Sequence, residues 1–192
     1  MESRKPLAAV AAAFLSLVMT SEIPAAPGPA ALRPSSNAAL AAQLPLLAPR
    51  AVAWARHLAQ GAEREGAPLT PELQALARRA GVRAPERVRI VVLDEIPLPE
   101  EPLLKAAALK VGLSSSDAAG MTLGPAVFLR RGYEKDIRVL SHELRHVAQY
   151  EACGGIAGFL AVHLADLVAF GYEDSPFEVD ARAHEVGAIP RS

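Results

Sequence analysis

The stretch "VLSHELRHVAQYE", residues 139–151, decides the fold that this sequence predicts. It contains the pattern His-Glu-x-x-His, formed by His142, Glu143 and His146. Residues four apart in a helix lie on one face, so both imidazoles would point the same way. The opposite face would join an apolar core, because it carries Ile137, Leu140, Leu144, Val147 and Ala148. The pattern therefore predicts an amphipathic helix over residues 134–152.

Two imidazoles one turn apart on a helix have the spacing of a zinc site. Zinc makes water more acidic, and Glu143, next to the first histidine, is placed to accept the proton as water attacks a carbonyl. The competing interpretation is a metal-free helical protein in which His142 and His146 match the pattern by chance.

A catalytic zinc site usually takes three ligands from the protein, so a third must come from elsewhere in the chain. Glu178 is the best candidate, on the first turn of a helix predicted to begin after Ser175 with Pro176 at its first position. An acid there is also a normal capping residue, so Asp180 and His184 stay open as alternatives. The remaining downstream candidates are His163, Asp166, Glu173, Asp174 and Glu185.

The segments around the motif predict an α+β fold, mostly helical, with a small sheet packed on the motif helix. A helix over residues 156–170 is apolar nearly all round, and we expect it in the core rather than at a membrane, although membrane association stays open. Strands are predicted over 88–93 and on either side of Gly124 and Pro125. Further helices are predicted in the segments 49–66, 69–82, 100–113 and 175–187.

The first part of the chain predicts a leader and a linker. Residues 1–25 place Arg4 and Lys5 before an apolar run over 7–19, the order typical of a signal peptide. We therefore expect a periplasmic or secreted protein; the alternative is a disordered leader on a cytoplasmic one. Residues 26–48, rich in Pro and Ala, are expected to be a linker, and 49–192 the domain.

The composition excludes several classes of function. The net charge of the 192 residues is −1, with no long basic run and 5% aromatic residues, so no nucleic-acid partner is expected. The single cysteine, Cys153, rules out an intramolecular disulfide and a cysteine zinc cluster. No pattern indicates an oligomeric state.

The segments "HELRHVAQYE" and "PFEVDARAHE" resemble the zincin-like metallopeptidases of gluzincin type, over about residues 120–185. The resemblance implies a peptidase with one zinc ion and a peptide or protein substrate. By position it implies zinc ligands at His142, His146 and Glu178 and a general base at Glu143. The second segment also resembles the Glu-x-x-Ala-Asp segment of the prenyl-protein and heat-shock membrane metalloproteases. Those proteins have an aspartate at the position that Arg182 occupies in this sequence.

The resemblance also implies an oxyanion partner, for which the candidates are Tyr133, Tyr150, Tyr172 and His184. Asp180 or Arg182 would contact the zinc ligands or the substrate. A zinc-binding domain without peptidase activity, structural or interacting with partners, is the alternative function.

Overall fold

A computed structural model of the chain describes residues 38–113 and 118–187, which form an α+β fold. The expected class and the small sheet are thus confirmed. The helices are α1 (Ala38–Glu65), α2 (Pro71–Arg79), α3 (Pro102–Lys110), α4 (Ile137–Ala152), α5 (Ile156–Asp174) and α6 (Pro176–Ala183), and the strands are β1 (Ala67–Pro68), β2 (Arg89–Leu93), β3 (Gly120–Leu123) and β4 (Ala126–Arg130). The expected leader over residues 1–25 lies outside the described residues.

The four strands form one mixed sheet in the order β1-β2-β4-β3. β2 and β4 pair in parallel, with Val91 opposite Phe128, and the other two pairs are antiparallel. Gly124 and Pro125 join β3 to β4, as expected, and Gly124 has a φ of 65°, which favours glycine. β3 is thus an edge strand in the described sheet.

Local capping explains where two helices begin. The Thr70 side chain accepts a hydrogen bond from the Leu73 N–H, and Pro71 occupies the first turn, so α2 begins at Pro71, within the predicted segment 69–82. Asp136 does the same for α4, accepting from the N–H groups of Arg138 and Val139. For that reason α4 begins at Ile137, three residues after the predicted start.

The two faces of the sheet cover different cores. Alternate residues of β4 point to opposite sides, so Val127 and Leu129 join one cluster while Ala126 and Phe128 join the other. We call the first the closed core; it also contains Leu76, Ala77, Val88, Leu140, Leu144 and Val147. We call the second the cavity core; it also contains Leu40, Leu47, Ala55, Leu104, Tyr150, Phe159 and Leu160.

Residues 38–48, expected to belong to a linker, are the first part of α1. Pro45 and Pro49 lie inside this helix, a position that normally disfavours helical structure. Leu40 and Leu47 are nevertheless buried in the cavity core, and their burial offsets part of that cost. The folded region therefore includes residues that composition alone assigns to an irregular segment.

α5 is the apolar helix expected over 156–170, and it continues to Asp174 across a kink at Gly171, where φ is 78°. Phe159 and Leu160 are buried, whereas Val162 and Phe170 are exposed. Among the described residues, α1 and α5 are long and apolar enough to cross a membrane, but length and composition are weak evidence for it.

Candidate metal centre

α4 and α6 bring two imidazoles and one carboxylate to a common point. The Nε2 atoms of His142 and His146 lie 3.1 Å apart on the same face of α4. Glu178, on the first turn of α6, places Oε2 3.5 Å from the first nitrogen and Oε1 3.4 Å from the second. His146 and Glu178 are buried and His142 is nearly so.

Each imidazole is held in place through its other nitrogen. The Nδ1 of His146 lies 2.7 Å from Oε1 of Gln149, whose amide nitrogen donates to the Phe177 carbonyl and to Asp180. Because the amide nitrogen is committed to these acceptors, the amide oxygen must face the ring, and Nδ1 carries the hydrogen. The Nδ1 of His142 lies 3.1 Å from Oε1 of Glu185, which also assigns its hydrogen to Nδ1.

With both hydrogens on Nδ1, two Nε2 lone pairs face each other and the Glu178 carboxylate. The Oε2 atom of Glu178 is buried and has no hydrogen-bond partner among the residues that the structure describes. A buried acceptor without a donor is costly, and three acceptors converging on one point favour a cation between them.

Without a metal, the shifted pKa values of His146 and Glu178 both favour the charged forms of these side chains. Burial lowers the pKa of His146, but Glu178, Glu143 and Gln149 together outweigh burial and the net pKa is raised. Burial likewise raises the pKa of Glu178, but His142 and His146 outweigh it and the net pKa is lowered. Both groups therefore favour a site in which positive charge offsets the carboxylate.

The three residues lie close enough together to surround one metal ion. Ligand atoms at 2.0–2.1 Å from a tetrahedral zinc ion lie about 3.3 Å from one another. The two Nε2 atoms are 3.1 Å apart, and the Glu178 carboxylate approaches them with different oxygens, Oε2 at 3.5 Å from His142 and Oε1 at 3.4 Å from His146. With one ligand atom taken from each residue, the three atoms lie within 4.8 Å of one another. Three protein ligands also leave one tetrahedral position for another molecule.

Glu143 lies beside this cluster, held against the start of β3. Its Oε2 accepts a hydrogen bond of 2.7 Å from the Thr122 hydroxyl. A Cβ atom added at Gly120 would lie 2.7 Å from Oε1 and 2.9 Å from Cγ of Glu143, so only glycine leaves room for this carboxylate. Burial raises the pKa of Glu143, although His146 and His142 oppose the shift.

A second layer of polar contacts ties α6 to α4 behind the ligands. Arg145 donates to both carboxylate oxygens of Asp180, at 2.7 and 3.1 Å, and to the carbonyl of Ala80. Asp180 in turn accepts from Gln149. The chain from Arg145 through Asp180 and Gln149 to His146 fixes the position of one ligand, a common arrangement around zinc.

His163 approaches the site from α5. Its Nε2 lies 3.8 Å from Oε1 of Glu178 and its Nδ1 lies 3.4 Å from the Ser175 hydroxyl. Burial lowers the pKa of His163 to about 4, so the ring is neutral at pH 7. Ser175 is at the N-cap position of α6, but its side chain makes no capping hydrogen bond.

The other residues singled out in the sequence lie further from the cluster. Asp180 is bound by Arg145 and Gln149, and His184 contacts the Asp180 carbonyl through Nδ1. Arg182 contacts Glu173. Tyr150 is buried and stacked on Phe159. Tyr133 lies under the Arg130 guanidinium.

Tyr172 is the oxyanion candidate that faces the cluster. The pKa of Tyr172 is raised, first because its hydroxyl is buried and second because the carboxylates of Glu178 and Glu143 are nearby. The residue follows the kink at Gly171, which turns the chain between α5 and α6.

Three residues of the site carry no role predicted from the sequence: Gly120, Thr122 and Gln149. Gln149 follows His146 by three residues on the same helical face, and this spacing is the one local signal that indicates it. Glu185 was a candidate ligand and instead contacts Nδ1 of His142. Thr122 is 21 residues from Glu143, so no local pattern joins the two.

No protein-family model, no curated protein and no solved structure matches this chain. The gluzincin resemblance therefore rests on the two sequence segments alone.

Proposed function

We propose that this protein is a zinc-dependent peptidase that hydrolyses peptide bonds. One observation carries the proposal: the Nε2 atoms of His142 and His146 converge with a buried Glu178 oxygen that receives no hydrogen bond from residues 38–113 and 118–187. Two nitrogens and one oxygen form a donor set that suits zinc. When bound, zinc would act as a Lewis acid that polarises a carbonyl and acidifies water.

The protein residues then have separate roles. His142, His146 and Glu178 would hold the metal. Glu143 would accept a proton from the attacking water and return it to the leaving amine. A general base works best when its pKa lies near the working pH, and burial raises the pKa of Glu143 in that direction.

The Thr122 hydroxyl orients the base. It binds Oε2 of Glu143, which leaves Oε1 outside that hydrogen bond and free to face the reacting water. Gly120 allows the carboxylate to lie against β3. A base must be within hydrogen-bond reach of the proton it takes, and these two contacts fix the carboxylate at the edge of the cluster.

The Glu143→Gln variant tests the proposal. Gln keeps the shape of the side chain but cannot accept the proton, so peptide hydrolysis should fall by about 100-fold or more while bound zinc stays at one per chain. Zinc is measured by elemental analysis, and hydrolysis by mass spectrometry of a peptide library. Glu63→Gln, an exposed change on α1, is the control and should alter neither quantity.

Three other results would each reject the proposal in a different way. Equal hydrolysis by wild type and Glu143→Gln would reject Glu143 as the base. Zinc binding without hydrolysis in the wild type would indicate the non-proteolytic domain. Well under one zinc per chain, not restored by added zinc, would exclude both functions.

A further inference from the structure

A cavity of about 180 Å³ lies beside the metal centre, between α1, α3, β3 and α5. Its walls are almost entirely apolar, and they include Leu44, Trp54, Leu104, Met121, Leu164 and Leu167. The cavity borders the cavity core, whose members Leu40, Leu47, Leu104 and Phe159 are among its lining residues.

The cavity reaches the candidate metal centre. Glu143, His146 and Glu178 line one end of it, and Tyr150 continues the same stripe of α4. Residues 143, 146 and 150 share one helical face, so this face of α4 forms the polar end of an otherwise apolar space. A group inside the cavity would therefore touch the residues that would hold the metal and move the proton.

The volume limits what the cavity can hold. An apolar cavity of about 150 Å³ binds one benzene ring. A space of about 180 Å³ therefore suits one aromatic ring or one branched aliphatic side chain, and a fatty acyl chain is several times too long.

Charge limits the occupant further. The described residues that line the cavity include no Lys or Arg, so among them an acidic side chain would be buried without a partner. The two carboxylates at the inner end, Glu143 and Glu178, would add repulsion. The occupant that these residues favour is therefore a neutral, apolar group.

We propose that this cavity is the pocket for one large apolar side chain of the substrate, of Leu, Met or Phe size, next to the scissile peptide bond. The proposal rests on the proposed peptidase function. β3 supports it, since this edge strand lines the cavity through Gly120, Met121, Thr122 and Leu123 and can present the peptide backbone there.

Trp54 allows the pocket to be tested without catalysis. It is the single tryptophan of the chain and it lines the cavity, so its fluorescence reports an occupant. Zinc-loaded Glu143→Gln protein would be titrated with N-acetyl-phenylalaninamide, N-acetyl-leucinamide, N-acetyl-glycinamide and laurate. We expect a saturable change with the first two, and at least tenfold weaker binding of the last two.

A pair of matched variants connects this signal to the cavity. Leu44→Phe adds volume inside the cavity, whereas Leu46→Phe adds the same volume two residues away on an exposed position of α1. The first should weaken N-acetyl-phenylalaninamide binding at least tenfold and the second should leave it unchanged. Leu164→Phe, on the α5 wall, should repeat the effect if Leu44→Phe does not fold.

The results separate failure of the pocket from failure of the enzyme. Equal binding of glycinamide and phenylalaninamide, stronger binding of laurate, or equal effects of Leu44→Phe and Leu46→Phe would each overturn the pocket. If the pocket binds but wild type cleaves no peptide, only the peptidase function fails. In an active enzyme, Leu44→Phe should shift cleavage towards bonds flanked by smaller side chains, and an unchanged cleavage pattern would contradict the proposal.

Discussion

The cores on the two faces of the sheet differ in their side chains and in their relation to the cavity. The closed core packs α2 and α4 against Val127 and Leu129 with small and medium aliphatic side chains. The cavity core packs α1, α3 and α5 against Ala126 and Phe128, and it leaves about 180 Å³ beside the candidate metal centre. α4 packs against the closed core with one face and lines the cavity with the other. The same helix can therefore be held in place by the closed core and contribute residues to the candidate metal centre.

The largest expected difference between the two cores is in the stability lost when one leucine is truncated in each. Leu144→Ala in the closed core should lower the free energy of unfolding by about 2–5 kcal/mol, because it leaves a void in tight packing. Leu164→Ala should cost less than half as much, because this side chain is half-buried and already borders the cavity. Urea unfolding of both variants measures the difference, and equal losses would contradict this expectation.

A smaller effect is expected from Gln149→Leu, which removes the acceptor for Nδ1 of His146. Zinc affinity should fall by about 10–100-fold, since the ligand loses the contact that orients it. Competition with a chelator measures the affinity. Gln60→Leu, an exposed change on α1, serves as the control, and a similar loss there would contradict a specific role for Gln149.

Gly120→Ala should affect the base more than the metal. The new Cβ would meet the Glu143 carboxylate, so the side chain must move away from Thr122. We expect hydrolysis to fall by about tenfold, equivalent to about 1.4 kcal/mol in the barrier, with zinc affinity unchanged. Parallel measurements of kcat/KM and of bound zinc check this result, and loss of zinc with activity would place Gly120 in the metal site itself.

The smallest effect concerns acid stability through Asp180. Burial raises its pKa, but hydrogen bonds from Arg145 and Gln149 outweigh burial and the net pKa lies below the ordinary 3.8. A carboxyl with a lowered folded-state pKa stabilises the protein above pH 3.8, and this contribution is lost as pH falls below that value. Between pH 5 and 3 the metal-free wild type should therefore lose more stability than Asp180→Asn.

The expected difference is under about 1 kcal/mol, since the Asp180 side chain is 37% exposed. Thermal unfolding at several pH values measures it. Parallel pH profiles of the two proteins would show that the contacts of Asp180 do not favour its charged form.

Local patterns were sufficient for the elements that carry the motif. The spacing of His142 and His146 indicates one face of a helix, and Pro176 and Glu178 indicate a short helix after it. Of the three candidates for a third ligand, Glu178 is the one that the structure places beside His142 and His146. The two helices could be predicted because helical periodicity and the position of proline are local properties of the sequence.

The rest depends on contacts between distant segments. Thr122 and Gly120 reach Glu143 only because β3 pairs with β4 and packs on α4. The first part of α1 could not be recognised, because its two prolines indicate an irregular chain and only burial of Leu40 and Leu47 supports the helix. The cavity likewise results from how α1, α3 and α5 meet, which no single segment encodes.

The position of Glu178 on α6 has a consequence for local unfolding. α6 has eight residues, too few to form a stable helix alone in water, so it depends on its contacts with α4 and α5. A metal ion held by α4 and α6 together would join the opening of α6 and the release of the ion into one event. The free energy needed to unfold α6 locally would then rise with the concentration of free metal. When the metal is removed, α6 would unfold locally before the closed core does.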